Sequence, residues 1–173
     1  MKRATIDASV VIARLLREPR PPWIDSTIIE VADGRTNLVA PTLLWLEVGN
    51  RLVRANISDE RALDGLLRID ALGIEAVEVG PPLRLRALQL AREHGLTMYD
   101  ASYLAVAEAA RAPLLTLDTR LEQAAASMGL GREGGTGRVS EPAAPYRRED
   151  VDTSSLAAIG AALAEMRRQY AEG

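Results

Sequence analysis

The chain has 173 residues, 47% of them hydrophobic, which is enough for one domain with a substantial core and leaves room for an appendage. Cysteine is absent, which excludes disulfides, thiolate metal sites and a cysteine nucleophile, and which fits a reducing cytoplasm. The formal net charge of -3 argues against a protein coated in positive charge for nucleic acid, although a local basic rim around an acidic site is compatible with it.

Further absences narrow the chemistry. The only lysine is Lys2, so the chain has neither a phosphate-binding Gly-Lys-Ser/Thr loop nor a mid-chain lysine nucleophile. The only histidine is His94, which excludes a zinc site built on several histidines. No apolar stretch approaches ~18 residues, and polar residues interrupt the N-terminal one, so we expect no membrane span and no signal peptide. Hydrolysis by this chain would most naturally use carboxylates and a metal.

Short apolar strands alternate with helices along residues 2–128. Strands are predicted at residues 2–6, 37–40, 74–79 and 114–117. Helices are predicted at residues 7–17, 23–33, 43–55, 58–72, 83–94, 98–112 and 119–128. This alternation predicts a short-stranded parallel sheet with helices on both faces, that is, a three-layer α/β/α fold.

The character of the sequence changes after Leu130. We expect residues 1–130 to form the main domain and residues 131–152, which are rich in breakers and lack apolar periodicity, to form a flexible linker. Residues 153–173 are predicted to form an amphipathic helix. Residues 131–173 carry six basic and seven acidic side chains, so the tail is not a basic arm for nucleic acid.

Two aspartates directly follow predicted strands. Asp7 comes after the first strand and Asp118 after the last, where ligands bind in parallel α/β sheets. Asp7 could instead serve only as a helix N-cap. For Asp118 that alternative is weaker, because residues 119–122 read Thr-x-x-Glu and form a capping box by themselves.

Two further acids stand in apolar helices. Glu47 lies in the middle of a predicted helix, and its ordinary alternative role is a salt bridge with Arg51, one turn later. Asp100 lies in the first turn of a helix that begins after Thr97, where an acid is stabilised by the helix dipole.

Taken together, the four acids indicate a metal site. Clustered carboxylates repel one another and must be protonated or neutralised by a cation, and ligands that are all oxygen suit Mg²⁺ or Mn²⁺. Such a metal can lower the pKa of a bound water for attack on a phosphodiester. Ser9, Asn50 and Thr116 are short polar residues near these acids in sequence, and they could orient the acids or simply bind local backbone.

At these residues the chain resembles the PIN-domain nucleases, and among them the VapC-type toxins of toxin–antitoxin pairs. The matching segments are residues 6–9 (IDAS), 46–50 (LEVGN), 99–105 (YDASYLA) and 115–118 (LTLD). The resemblance implies a parallel-sheet α/β/α fold and a Mg²⁺- or Mn²⁺-dependent endoribonuclease that uses water as nucleophile. It implies that the metal-binding acids are Asp7, Glu47, Asp100 and Asp118. It also implies a homodimer and a cognate antitoxin that occludes the active site.

Three alternatives differ in function. The chain could be a PIN nuclease of RNA processing without an antitoxin, or a PIN module that binds partners without catalysis; the presence of all four acids counts against the second. A metal-dependent phosphatase is weaker still, because Ser9 stands where aspartyl-phosphate phosphatases have a second aspartate. For the tail, one alternative is a helix that packs on its own or on a neighbouring subunit. The other is that residues 150–173 mimic the antitoxin's helix and lie across the active-site groove, in which case removal of residues 131–173 should raise activity.

Overall fold

A computed structural model describes residues 2–132 of the chain. The strands are β1 (Lys2–Ile6), β2 (Thr36–Pro41), β3 (Glu75–Val77) and β4 (Leu114–Leu115). The helices are α1 (Ala8–Leu15), α2 (Pro22–Ala32), α3 (Leu43–Arg54), α4 (Asp59–Asp70), α5 (Pro81–His94), α6 (Met98–Ala110) and α7 (Thr119–Ser127). The predicted C-terminal helix, and all but the first two residues of the predicted linker, lie outside the described residues.

The four strands form one parallel sheet in the order β3-β2-β1-β4. β1 is central: Lys2 pairs with Thr36 on one side, and Thr5 pairs with Leu114 on the other. Because all strands run in the same direction, their carboxyl ends meet at one edge of the sheet. The predicted α/β/α fold is confirmed.

The helix α6 is the centre of the core. Its residues 101–107 are all buried, and the helix packs against β1, β2, α5 and α7. A helix that is covered on every side is expected to be apolar around its whole circumference, as this one is. Its burial fixes the position of its first turn, and therefore of Asp100.

Several boundaries differ from the sequence predictions. The strand predicted at 114–117 ends at Leu115, so two residues separate β4 from Asp118. Thr42, which looked like an N-cap, makes no side-chain cap hydrogen bond, whereas Ser58 caps α4 through the amide of Arg61. Within residues 2–132, no helix combines the length and apolar character that crossing a membrane requires.

Candidate functional site

Four acids from four different elements meet at the carboxyl edge of the sheet. Asp7 is the N-cap of α1, Glu47 lies within α3, Asp100 lies in the first turn of α6, and Asp118 is the N-cap of α7. Burial raises the pKa of Asp7, Glu47 and Asp100, and negative charge nearby raises it further. Glu47 feels the charges of Asp7 and Asp100, while Asp100 feels that of Asp118. The acids singled out in the sequence are therefore close enough to repel one another.

Asp7 is the most enclosed of the four, with 7% of its surface exposed. Its Oδ2 accepts hydrogen bonds from Ser9 Oγ at 2.5 Å and from Thr116 Oγ1 at 2.8 Å. These bonds lower the pKa of Asp7 against the larger effect of burial, which raises it. They also fix the orientation of the carboxylate.

Thr116 and Ser9 join the loop after β4 to the start of α1. Thr116 Oγ1 donates to Asp7 and accepts from the amide of Asp118 at 3.0 Å. Ser9 Oγ accepts from the amide of Leu117 at 3.0 Å. Because β4 has ended, these amides are not used by the sheet, and the shortened strand therefore supplies the connection between Asp7 and Asp118.

Glu47 has a partner that sequence reasoning missed. Tyr103, which is fully buried in α6, donates its hydroxyl to Glu47 Oε2 at 2.5 Å. Burial raises the pKa of Glu47 to about 7 even though this hydrogen bond lowers it, and burial raises the pKa of Tyr103 as well. The alternative salt bridge is not formed, because Arg51 pairs with Glu18 at 2.9 Å.

The hydroxyl of Thr97 holds Asp100 in the first turn of α6, as the spacing of the two residues predicted. Thr97 Oγ1 accepts from the amide of Asp100 at 3.1 Å and donates to its Oδ2 at 2.7 Å. The Thr97 hydroxyl thus ties the carboxylate to the helix start.

The sequence interpretation of Asp118 was wrong in one respect. The capping box expected over residues 119–122 does not replace Asp118, because Asp118 is itself the N-cap of α7 and its Oδ1 accepts from the amide of Leu121 at 2.8 Å. Within residues 2–132 its Oδ2 accepts no hydrogen bond, so one oxygen stays available.

Asn50 is exposed, and its side chain makes no hydrogen bond to any residue of the described part of the chain. Ser9 and Thr116 hydrogen-bond to an acid, whereas a role for Asn50 beside Glu47 stays a prediction. Asn50 follows Glu47 by about one turn of α3 and so shares its side of the helix.

The four acids suit a divalent cation by their chemistry. Their donors are all carboxylate oxygens, which Mg²⁺ and Mn²⁺ prefer, and a cation would relieve the repulsion that raises the pKa of three of them. As they stand within residues 2–132, no three acidic or histidine side chains are close enough to hold one metal ion. A metal held by three or more of these side chains would therefore need side-chain movement, whereas Mg²⁺ can also be held by one or two carboxylates together with water.

Replacing Thr116 with valine tests the connection between Asp7 and Asp118. Valine keeps the shape but removes one donor to a buried carboxylate and one acceptor, so we expect the free energy of unfolding to fall by about 1–3 kcal/mol in urea denaturation. Thr42→Val is the control, because Thr42 is exposed and its hydroxyl caps nothing. Equal effects of the two substitutions would contradict this role of Thr116.

Replacing Glu47 with glutamine tests the electrostatic cost of the site. Because the pKa of Glu47 rises from its ordinary value of 4.5 to about 7 in the folded protein, the neutral carboxyl stabilises the fold fully at pH values below 4.5. This stabilisation is lost as the pH rises through about 7, where folded Glu47 ionises. In EDTA at pH 8, Glu47→Gln should be more stable than the wild type by on the order of 1 kcal/mol, allowing for partial exposure, and the gain should vanish near pH 4.5. Glu78→Gln, at an exposed position, is the control; a gain independent of pH would contradict the explanation.

Comparison with known proteins places this arrangement in a family. The sequence profile of the PIN domain matches residues 4–127. Two proteins named Ribonuclease VapC1, from Mycobacterium tuberculosis strains CDC 1551 / Oshkosh and ATCC 25618 / H37Rv, are 42% identical over 89 residues. That match covers 49% of this chain and 65% of each relative, so the chain spans just under two thirds of their length.

Solved structures agree with this assignment. PAE2754 from Pyrobaculum aerophilum is 28% identical with a TM-score of 0.53, covering 71% of this chain and 84% of that one. A toxin-antitoxin complex from Klebsiella pneumoniae shares the fold at 19% sequence identity and a TM-score of 0.51, with 67% of this chain and 87% of that chain covered. VapBC2 from Rickettsia felis bound to a promoter DNA fragment shares it at 12% identity and a TM-score of 0.56, with 70% of this chain and 92% of that chain covered. With the profile matched over most of its length and the fold shared, the chain belongs to the PIN domain family.

Proposed function

We propose that this chain is a divalent-metal-dependent endoribonuclease and the toxin of a VapBC-type toxin–antitoxin pair. The observation that carries the proposal is the convergence of four acids from β1–α1, α3, α6 and α7 at one edge of a PIN-family sheet. The similarity to Ribonuclease VapC1 supports ribonuclease activity. With no cysteine in the sequence, we propose that the protein acts in the cytoplasm.

In the proposed site, one oxygen of each acid accepts a hydrogen bond from the chain, and the other oxygen is available to a metal ion. Hydrogen bonds from the chain occupy Asp7 Oδ2, Glu47 Oε2, Asp100 Oδ2 and Asp118 Oδ1. The opposite oxygens are the ones we assign to Mg²⁺ or Mn²⁺. A bound ion of this kind would activate water and stabilise negative charge on the phosphodiester.

Glu47 fits this assignment. Burial and the charges of Asp7 and Asp100 raise its pKa to about 7, and a bound cation would favour its ionised form. Tyr103 holds Oε2, so Oε1 is the oxygen of Glu47 that we assign to the ion.

Cleavage of RNA by the purified full chain tests the activity. We expect discrete products from total cellular RNA with Mg²⁺ or Mn²⁺, none with EDTA, and a loss of at least about 100-fold in Asp7→Asn and Asp100→Asn. Asp33→Asn is the control, because Asp33 is an exposed acid beyond the end of α2. Equal cleavage by all of these proteins would assign the activity to a contaminant.

Other results would support the alternative functions. RNA binding without cleavage under any metal would favour an interaction module over an enzyme. Cleavage by a protein whose gene has no small antitoxin-like neighbour would favour a PIN nuclease of RNA processing.

A groove beside the acids supports an antitoxin partner. It has a volume of about 580 Å³, lies between α1, α3 and α4, and reaches Ile6, which precedes Asp7. Apolar side chains such as Leu15 and Leu52 line it. Five arginines line it, of which Arg51 pairs with Glu18, Arg68 with Asp64 and Arg14 with Asp25. Arg17 and Arg61 form no ion pair within residues 2–132 and carry its unpaired positive charge. An amphipathic peptide with acidic side chains would match this surface.

Sedimentation tests both proposed protein partners. The full chain should behave as a homodimer of about twice 18.7 kDa, and the small protein encoded beside it should bind the dimer and inhibit cleavage. Arg61→Glu should weaken that binding by about 10-fold or more without changing cleavage, because Arg61 is an exposed groove residue without an ion pair in residues 2–132. Arg84→Glu, on α5 outside the groove, is the control. A monomeric mass would contradict the homodimer. Equal binding of the small protein by Arg61→Glu and Arg84→Glu would contradict an antitoxin bound in the groove.

A further inference from the structure

Tyr99 is the only exposed aromatic side chain among residues 2–132. Trp23 and Trp45 are partly buried, Tyr103 is fully buried, and Tyr99 is 66% exposed. Within the described chain its hydroxyl makes no hydrogen bond. The chain has few aromatic residues, and this one contributes little to its core, so its exposure calls for another explanation.

Tyr99 lies at the start of α6, the end of the helix that carries Asp100. It precedes Asp100 in the first turn of α6, and it lies one helical turn before Tyr103. Residues four apart share one side of a helix, so Tyr99 is on the side from which the Tyr103 hydroxyl reaches Glu47. The exposed ring of Tyr99 therefore lies on the same side of α6 as Tyr103, one turn nearer to the start of the helix.

Arg120 brings positive charge to the same place. It lies in the first turn of α7, is exposed, and forms no ion pair within residues 2–132. Asp100 lies close enough to feel its charge: burial and Asp118 raise the pKa of Asp100, and Arg120 lowers it. Tyr99 thus precedes Asp100 in the first turn of α6, and the guanidinium of Arg120, two residues after Asp118, lies near Asp100 from α7.

We propose that Tyr99 and Arg120 bind one unpaired nucleotide next to the scissile phosphate, with the base stacked on Tyr99 and a phosphate contacted by Arg120. The inference rests on the proposed function and names the two residues of this chain that would hold the substrate beside the acids. Unstacked bases of single-stranded RNA bind aromatic side chains, whereas a base paired in a helix cannot present its face.

The charge of the site suits an RNA phosphate. Four acids repel a polyanion, so an RNA-cleaving site needs cations close to them, and the guanidinium of Arg120 is a fork that matches phosphate oxygens. We assign the phosphate to Arg120 and the adjoining base to Tyr99, because both side chains are exposed and they come from the two helix starts that carry Asp100 and Asp118. A purely apolar protein contact would have no use for the uncommitted arginine.

Binding of short oligonucleotides by the full chain tests the proposal. The probes are a fluorescent ten-nucleotide single-stranded RNA, a fully abasic strand of equal charge, and a duplex, measured by anisotropy in Ca²⁺ with intactness checked on a gel. We expect Tyr99→Ala to weaken binding of the single strand by about 10-fold, to leave abasic binding unchanged, and to leave the salt dependence unchanged. Tyr99→Phe should retain the wild-type affinity, because stacking needs only the ring.

Arg120 should behave in the complementary way. Arg120→Gln should weaken single-stranded and abasic binding alike, and it should reduce the slope of log K against log salt by about 0.7. Leu85→Ala is the control, because Leu85 is 60% exposed on α5 and lies outside the site.

Equal affinity of Tyr99→Ala and the wild type for the single strand, or equal affinity of the wild type for single strand and duplex, would overturn the proposal. So would a change from dimer to monomer in Tyr99→Ala, which would assign Tyr99 to a protein interface. The parent function fails separately: if the wild type binds single strands as expected but cleaves no RNA with Mg²⁺ or Mn²⁺, the nucleotide site stands and the nuclease does not.

Discussion

The mutual repulsion of four partly buried acids is the constraint on which the rest of this structure depends. Left to themselves, such groups would separate or take up protons. The fold holds each of them with a hydrogen-bond donor of its own, namely Thr116 for Asp7, Tyr103 for Glu47, Thr97 for Asp100 and the amide of Leu121 for Asp118. Bringing these acids together therefore lowers the stability of the domain, and the burial of apolar side chains around α6 has to offset that cost.

The positions of the acids could be predicted because they follow from local rules. Asp7 comes directly after an apolar strand, and a parallel sheet collects its strand ends at one edge. Asp100 is three residues after Thr97, which fixes it in a first turn by capping geometry alone. The alternation of short strands and helices likewise determines the layers of the fold, since each step depends on neighbouring residues only.

The partners of the acids could not be predicted because they come from distant parts of the chain. Tyr103 and Glu47 are 56 positions apart, and nothing in an apolar helix distinguishes a tyrosine that fills the core from one that also holds a carboxylate. The early end of β4 was missed because residues 114–117 look like one strand, although the last two bind Asp7 and Ser9 instead of the sheet. For Asn50, helical spacing gives the side of α3 that it shares with Glu47 but not which groups its amide would bind.

The long span of the bonds around Thr116 bears on when the site forms. The bonds from Thr116 to Asp7 and from Leu117 to Ser9 connect residues 109 and 108 positions apart. Since a chain is synthesised from its N-terminus, β1 cannot pair with β4 until nearly the whole domain has left the ribosome. A nascent chain shorter than about this length lacks both Asp118 and the donor that orients Asp7. Under the proposed function, such a chain cannot yet bring all four acids to a metal ion.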